Sequence, residues 1–134
     1  MENLMDNTAI IKKYFQSWLT RDFSDLDTYI DEKIIYRECY GPIYIGLDEL
    51  HQFIDNMMNR QKVLNWRIDK ILPTDKNTYT VLWYFHAVEH TEYDFDGASI
   101  IQFKDNKIID VAEYQSKHET FRPFKKEGKN EFNN

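Results

Sequence analysis

The hydrophobic period of this sequence changes once, near Val63, from helical to two. Upstream, Ile10, Ile11, Tyr14, Phe15, Trp18 and Leu19 recur at the spacing of one helical face, which predicts a helix over residues 8–20. Asn7 or Thr8 is placed to supply its N-cap oxygen. A second, short helix is expected to start at Asp22 or Ser24, with Leu26, Tyr29 and Ile30 facing inward. Residues 33–38 are β-rich, and Gly41-Pro42 closes them as a turn pair. Leu47, Leu50, Phe53, Ile54, Met57 and Met58 then define a third helix, with Asp48 and Glu49 at its positive end.

Downstream of Val63, Leu64, Trp66 and Ile68 alternate with Asn65, Arg67 and Asp69, as in a half-buried strand. Residues 73–77 are expected as a turn, and 79–89 and 98–103 as strands. Asp105-Asn106 is expected as a tight hairpin into a last strand over 107–115. Three N-terminal helices ahead of a meander of antiparallel strands is an α+β order. At 134 residues the chain has the size of one domain. We place that domain over residues 1–116, followed by a polar, mobile tail over 117–134 in which Phe121, Pro123 and Phe124 are the candidate docking anchors.

Composition removes several classes of function. The net charge is −6, so an acidic surface faces any phosphate backbone and no nucleic-acid partner is expected. The basic pair Lys125-Lys126 near the C-terminus is too small a patch to change this. No apolar run approaches the ~20 residues that span a bilayer. Acidic residues stand at the N-terminus where a secretory leader would be basic, so the expected address is cytoplasmic. Cys39 is the only cysteine, which excludes an intramolecular disulfide and a paired-cysteine metal site. Nine Tyr, nine Phe and three Trp remain, enough rings to line a cavity as well as fill a core.

Three blocks of sequence carry a resemblance. They are YFQSWLTRDFSDLDTYIDEKIIY at residues 14–36, GPIYIGLDELHQFI at 41–54, and GASIIQFKDNKIIDVAEYQ at 97–115, where Asn106 stands at a position often occupied by Gly. In order and spacing they resemble the SnoaL-like branch of the nuclear transport factor 2-like superfamily, whose relatives include ketosteroid isomerase and polyketide cyclases. The resemblance implies a curved sheet wrapped around the helices, a cystatin-like α+β barrel with a cone-shaped pocket. It implies a small hydrophobic or carbonyl-containing ligand, no cofactor, and a homodimer through the outer sheet face. Matched block by block, Tyr14 falls at the isomerase's oxyanion-binding Tyr and Glu38, three residues before Gly41, at its base Asp. Ser99 falls where the isomerase has a protonated Asp. Two of these are departures. Ser is a weaker donor to an oxyanion than a neutral carboxylic acid. Glu carries its carboxylate about one bond further than Asp, and a misplacement of ~1 Å can lower a rate ~100-fold.

Each candidate has a plainer alternative. Tyr14 lies on an apolar helix face and is equally read as a packed core ring. Ser99 is more simply read as an ordinary small strand residue. Glu38, among Tyr36, Tyr40 and Tyr44, is either a desolvated base or a carboxylate at a solvated strand end. Glu113 faces the pocket if Val111 does, and solvent if Ala112 and Tyr114 point inward instead. The candidate ligand-binding set is Trp18, Tyr36, Phe53, Met57, Trp66, Val111 and Glu113.

Two motifs are set aside. His86-Ala-Val-Glu89-His90 matches a zinc-protease string that works on a helix. In a strand its two His stand roughly 13 Å apart, too far to share a metal. Glu92–Gly97 has the acidic density of a calcium loop without its closing Glu and is read as a hairpin connection. No metal is therefore expected. Two functions stay open: a ligand-binding module, or an isomerase, cyclase or hydratase with Glu38 as base.

Overall fold

In the computed structural model, which describes residues 6–125, helix α1 (Asn7–Thr20) opens the chain. Its N-cap is Asp6, not Asn7 or Thr8: the Asp6 carboxylate accepts the Ala9 N–H at 2.7 Å. A carboxylate at this end also meets the positive pole of the helix. Arg21 ends α1 in the left-handed conformation, φ 61°. From there its guanidinium donates to the carbonyls of Met58 at 2.6 Å and Gln61 at 3.1 Å. These belong to the last turn and cap of α3 (Leu47–Arg60), so one side chain ties the ends of two helices together.

Between the helices lie α2 (Leu26–Tyr29), β1 (Ile30–Arg37) and β2 (Ile43–Ile45). After α3 come β3 (Lys62–Asp75), β4 (Thr78–Val88), β5 (Glu92–Lys104) and β6 (Lys107–Ser116). They form one curved six-stranded sheet in the order β2-β1-β6-β5-β4-β3. The α+β class expected from sequence holds, but the sheet is mixed: β1 runs parallel to β6 while the other neighbours are antiparallel. A parallel pair needs a long crossover, and α3 with the β3–β5 meander supplies it. The third helix also stands after β1 and β2 rather than ahead of every strand.

Two strands are longer than their sequence suggested. β3 continues through Pro73 to Asp75, leaving a turn centred on Lys76 and Asn77. Pro73 breaks nothing because β3 is an edge strand, where a missing N–H need not face a neighbour. Residues 92–97, expected as a connection, are the first half of β5. Their acids are one face of a period-two pattern: Asp94 pairs in register with His86 and Asp96 with Tyr84, while Phe95 opposes the buried Phe85. Asp105 and Asn106 form the expected hairpin, both with positive φ, at 51° and 66°.

The helices bury one face each against the concave side of the sheet. Ile10, Ile11, Phe15 and Trp18 of α1, and Leu50, Phe53 and Ile54 of α3, meet Val81, Trp83, Phe85, Ile101, Phe103 and Val111. On β6, Val111 and Glu113 are buried and Tyr114 is exposed, so Glu113 faces inward. The convex face carries Leu72, Ile100 and Tyr114 in the open, continued by Ile35 of β1 and Ile43 and Ile45 of β2. Past Ser116, residues 117–125 hold no helix or strand, and Phe121 and Phe124 are exposed. The rest of the expected tail, Lys126 included, lies outside the described residues.

Candidate functional site

The helices and the sheet diverge toward one end of the fold, and a cavity of about 40 Å³ opens there. Trp18 of α1 and Phe53 and Met57 of α3 form one side. Trp66, Trp83, Phe85 and Phe95 of β3–β5 form the opposite wall. Tyr36 closes the back, and Cys39, Tyr40 and Gln61 stand toward the opening. Trp66 lies nearly perpendicular to Trp83 (88°) and to Phe85 (82°), with centroids 5.5 and 5.3 Å away. Edge-to-face contacts of this kind hold rings in fixed orientations.

Two carboxyl groups enter this aromatic lining, Glu38 and Glu113, each only 8 % exposed. Burial is the largest influence on both and raises both pKa values, because a charge is poorly solvated there. The outcomes differ. Glu38 sits at the mouth, where the cavity meets a cleft lined by Pro42, Tyr44, Asn56 and Arg60. The Tyr44 hydroxyl donates to its Oε1 at 2.7 Å, and Arg60 adds positive charge, so the upward shift is partly opposed. Glu113 lies deeper and is pushed from the usual 4.5 to about 8, with the Tyr36 hydroxyl and the Cys39 N–H pulling against burial. At neutral pH, Glu113 is therefore mostly a neutral acid.

Behind Glu113 runs a buried chain of hydroxyls. Tyr14 donates to the Tyr36 oxygen at 2.8 Å, and Tyr36 donates to Glu113 Oε2 at 2.6 Å. Burial raises both phenol pKa values well above the ordinary range, so both remain protonated donors. The indole N–H of Trp18 approaches the Tyr14 oxygen closely enough to lower its pKa somewhat, without reaching hydrogen-bond geometry. The Trp66 Nε1 is likewise buried with no partner. Such donors are expensive to leave unsatisfied, and they sit on cavity residues.

Residues 11–111 match the SnoaL-like domain family. The chain belongs to that family. No curated protein matches it. Solved structures share its fold at low identity. A candidate polyketide cyclase from Xanthomonas campestris pv. campestris is 16% identical, with a TM-score of 0.68 over 81% of this chain and 89% of that one. A hypothetical protein with a ketosteroid isomerase-like fold from Catenulispora acidiphila, solved in complex with trimethylamine, is 14% identical, with a TM-score of 0.71 over 80% of this chain and 85% of that one. An LEH-like epoxide hydrolase from M. tuberculosis is 13% identical, with a TM-score of 0.71 over 81% and 80%.

Against this SnoaL-like frame, the sequence candidates separate into lining and support. Trp18, Tyr36, Glu38, Phe53, Met57, Trp66 and Glu113 line the cavity. Tyr14, Ser99 and Val111 are buried outside its lining. Tyr14 reaches the site through Tyr36, and Ser99 accepts the Trp83 indole N–H at 2.9 Å. Sequence reasoning missed Trp83, Phe85 and Phe95, although their alternation with Tyr84, His86 and Asp94 was a period-two signal. Tyr40 was legible only as a ring near Glu38 in sequence, and Gln61 carried no signal, since it follows a helix as a loop residue. The Cys39 thiol is pushed up to about 12 by burial and by Glu113 and Glu38, which leaves no thiolate to act as a nucleophile. His86 and His90 lie in β4 and the turn after it, and the His86 ring bonds Glu92 rather than His90.

Proposed function

We propose that this SnoaL-like domain binds a small carbonyl-containing molecule in a cone-shaped aromatic pocket and transfers a proton on it, with Glu38 as base and Glu113 as acid. One observation supports this above the others: two buried carboxyls line one cavity in different settings, Glu38 at the mouth under Tyr44 and Arg60, and Glu113 deeper against Tyr36 with its pKa raised to about 8. Splitting two like groups in this way is how a site assigns acid and base. Glu38, at the mouth with the Tyr44 hydroxyl donating to it and Arg60 nearby, takes the role of base. Glu113 keeps a proton on the oxygen that Tyr36 does not bond, free to donate to an oxygen that gains charge. Tyr14 supports Tyr36 from behind and is a positioning residue on this reading.

Glu113 takes the place that Ser99 held in the block-by-block match, supplying the neutral carboxylic acid which Ser99 cannot. The reaction class is isomerisation, cyclisation or hydration through an enolate. The catalytic domain is residues 1–116, with 117–134 its tail, and two copies associate through the convex sheet face. The trimethylamine held by the Catenulispora protein makes ligands of a few heavy atoms a reasonable first screening set.

The test is turnover of small cyclic enones by the parent, Glu38→Gln and Glu113→Gln. Both variants should bind as the parent does. Glu38→Gln should lose turnover ~100-fold or more, the usual worth of a positioned base. Binding without turnover in the parent would refute the enzyme and leave a binding module.

A further inference from the structure

The proposed pocket has an electrostatic peculiarity that its proton chemistry does not use. Two carboxyls face it, yet no Lys, Arg or His is among its lining residues. Arg60 stands at the adjoining mouth and is already paired with Glu89 at 3.1 Å. The rest of the lining is largely aromatic, Trp18, Tyr36, Trp66, Trp83, Phe85 and Phe95 among it. An aromatic ring presents negative charge at its face, and a cation is attracted to it within about 6 Å of the centroid. Rings and carboxyls thus favour the same sign of guest. A neutral hydrocarbon would satisfy the rings and leave the carboxyls without a partner, whereas a cation meets both.

We propose that the ligand of this cavity carries a compact alkylammonium group, held by the ring faces between Glu38 and Glu113. An ammonium near Glu113 favours its ionised form. Glu113 stays largely protonated below about pH 8 in the empty site, so cation binding at neutral pH expels its proton. This rests on the pocket of the proposed function, since the cavity must first admit small molecules, and it gives Glu113 two states: protonated acid toward an uncharged carbonyl compound, carboxylate beside an ammonium.

The experiment compares choline with 3,3-dimethyl-1-butanol, which has the same shape and hydroxyl without the charge. Titration calorimetry at pH 7, in buffers of different ionisation enthalpy, reads affinity and protons released together. Choline should bind at least ~10-fold tighter and release close to one proton, while the alcohol releases none. Its affinity should rise further between pH 7 and 9, where the empty site ionises. In Glu113→Gln the choline preference should fall ~10-fold and the proton release should vanish, with the alcohol unaffected. Binding of the neutral alcohol or of 2-cyclohexenone without a choline preference or proton release would overturn the ammonium inference and leave the pocket reading intact. If none of the three binds, both fall.

Discussion

Glu113→Gln is the sharpest probe of the interior of this protein. The folded pKa of Glu113, about 8, lies above the usual 4.5, so between these values the native chain holds a proton that the unfolded chain has released. Stability contributed by this group is present below about pH 4.5 and is lost as pH rises through about 8. The separation is about 3.5 units, and at about 1.4 kcal/mol per unit the full loss is on the order of 5 kcal/mol. Gln removes the ionisation, keeps the shape, and still accepts from Tyr36. It is itself a buried amide, so we expect a net gain nearer 2–4 kcal/mol at pH 9, shrinking toward zero near pH 4. Urea unfolding of parent and variant at pH 5, 7 and 9 reads this directly, and the melting temperature at pH 9 should rise by roughly 6 °C or more. The parent should lose stability across that range while the variant stays flatter. Parallel curves would mean that Glu113 is solvated or ionised in the native state, and the acid assignment would go with it.

Tyr36→Phe should cost about 1–3 kcal/mol, because it takes the donor from Glu113 and the acceptor from Tyr14 in one step; the urea midpoint reads it. It should also drive the Glu113 pKa higher, visible in a carboxyl-carbon NMR titration. Gly97→Ala would thrust a methyl into the Trp83 ring and the Tyr114 carbonyl, and should lower stability by about 1–3 kcal/mol or abolish soluble expression. Light scattering of the parent should give about twice the 16.3 kDa chain mass, and Ile100→Lys on the exposed sheet face should return a monomer without changing the circular dichroism.

What the sequence disclosed and what it hid follow from the range of each interaction. Periodicity is local, so α1, α3 and the β5–β6 hairpin could be placed from their own residues. The hidden parts depend on partners far along the chain. Pro73 breaks a central strand but not an edge strand, and edge position is fixed only by strand order. The acids of residues 92–97 resembled a loop because their hydrogen-bond partners, Tyr84, His86 and His118, lie elsewhere in sequence. In the site, Tyr14, Tyr36 and Glu113 are each legible as ring or carboxylate. Their connection spans 77 residues between Tyr36 and Glu113, and nothing local announces it. The inward face of Glu113 was undecided from sequence because Val111, Ala112 and Tyr114 are all apolar enough to point either way.

The walls of the cavity also divide into a fixed back and a yielding front. The back is held by the Tyr14–Tyr36–Glu113 chain and by perpendicular indole and phenyl rings, and displacing any one of these strands a buried polar group or opens a void. At the front, Tyr40 is half exposed and Met57 is unbranched with three rotatable bonds. Gln61 is tethered through the Tyr93 hydroxyl to Glu89, whose other oxygen takes the exposed Arg60 guanidinium. An ion pair of that exposure contributes about 1 kcal/mol or less. A cavity of about 40 Å³ has room for only a few waters, so a ligand of seven or more heavy atoms must displace a wall. The cheap wall to displace is the front, where Met57 and Tyr40 move without breaking the hydroxyl chain. A ligand that entered past Glu38 would meet the carboxyl at the mouth first. The acid at the back is reached only by a molecule long enough, or deep enough, to touch both.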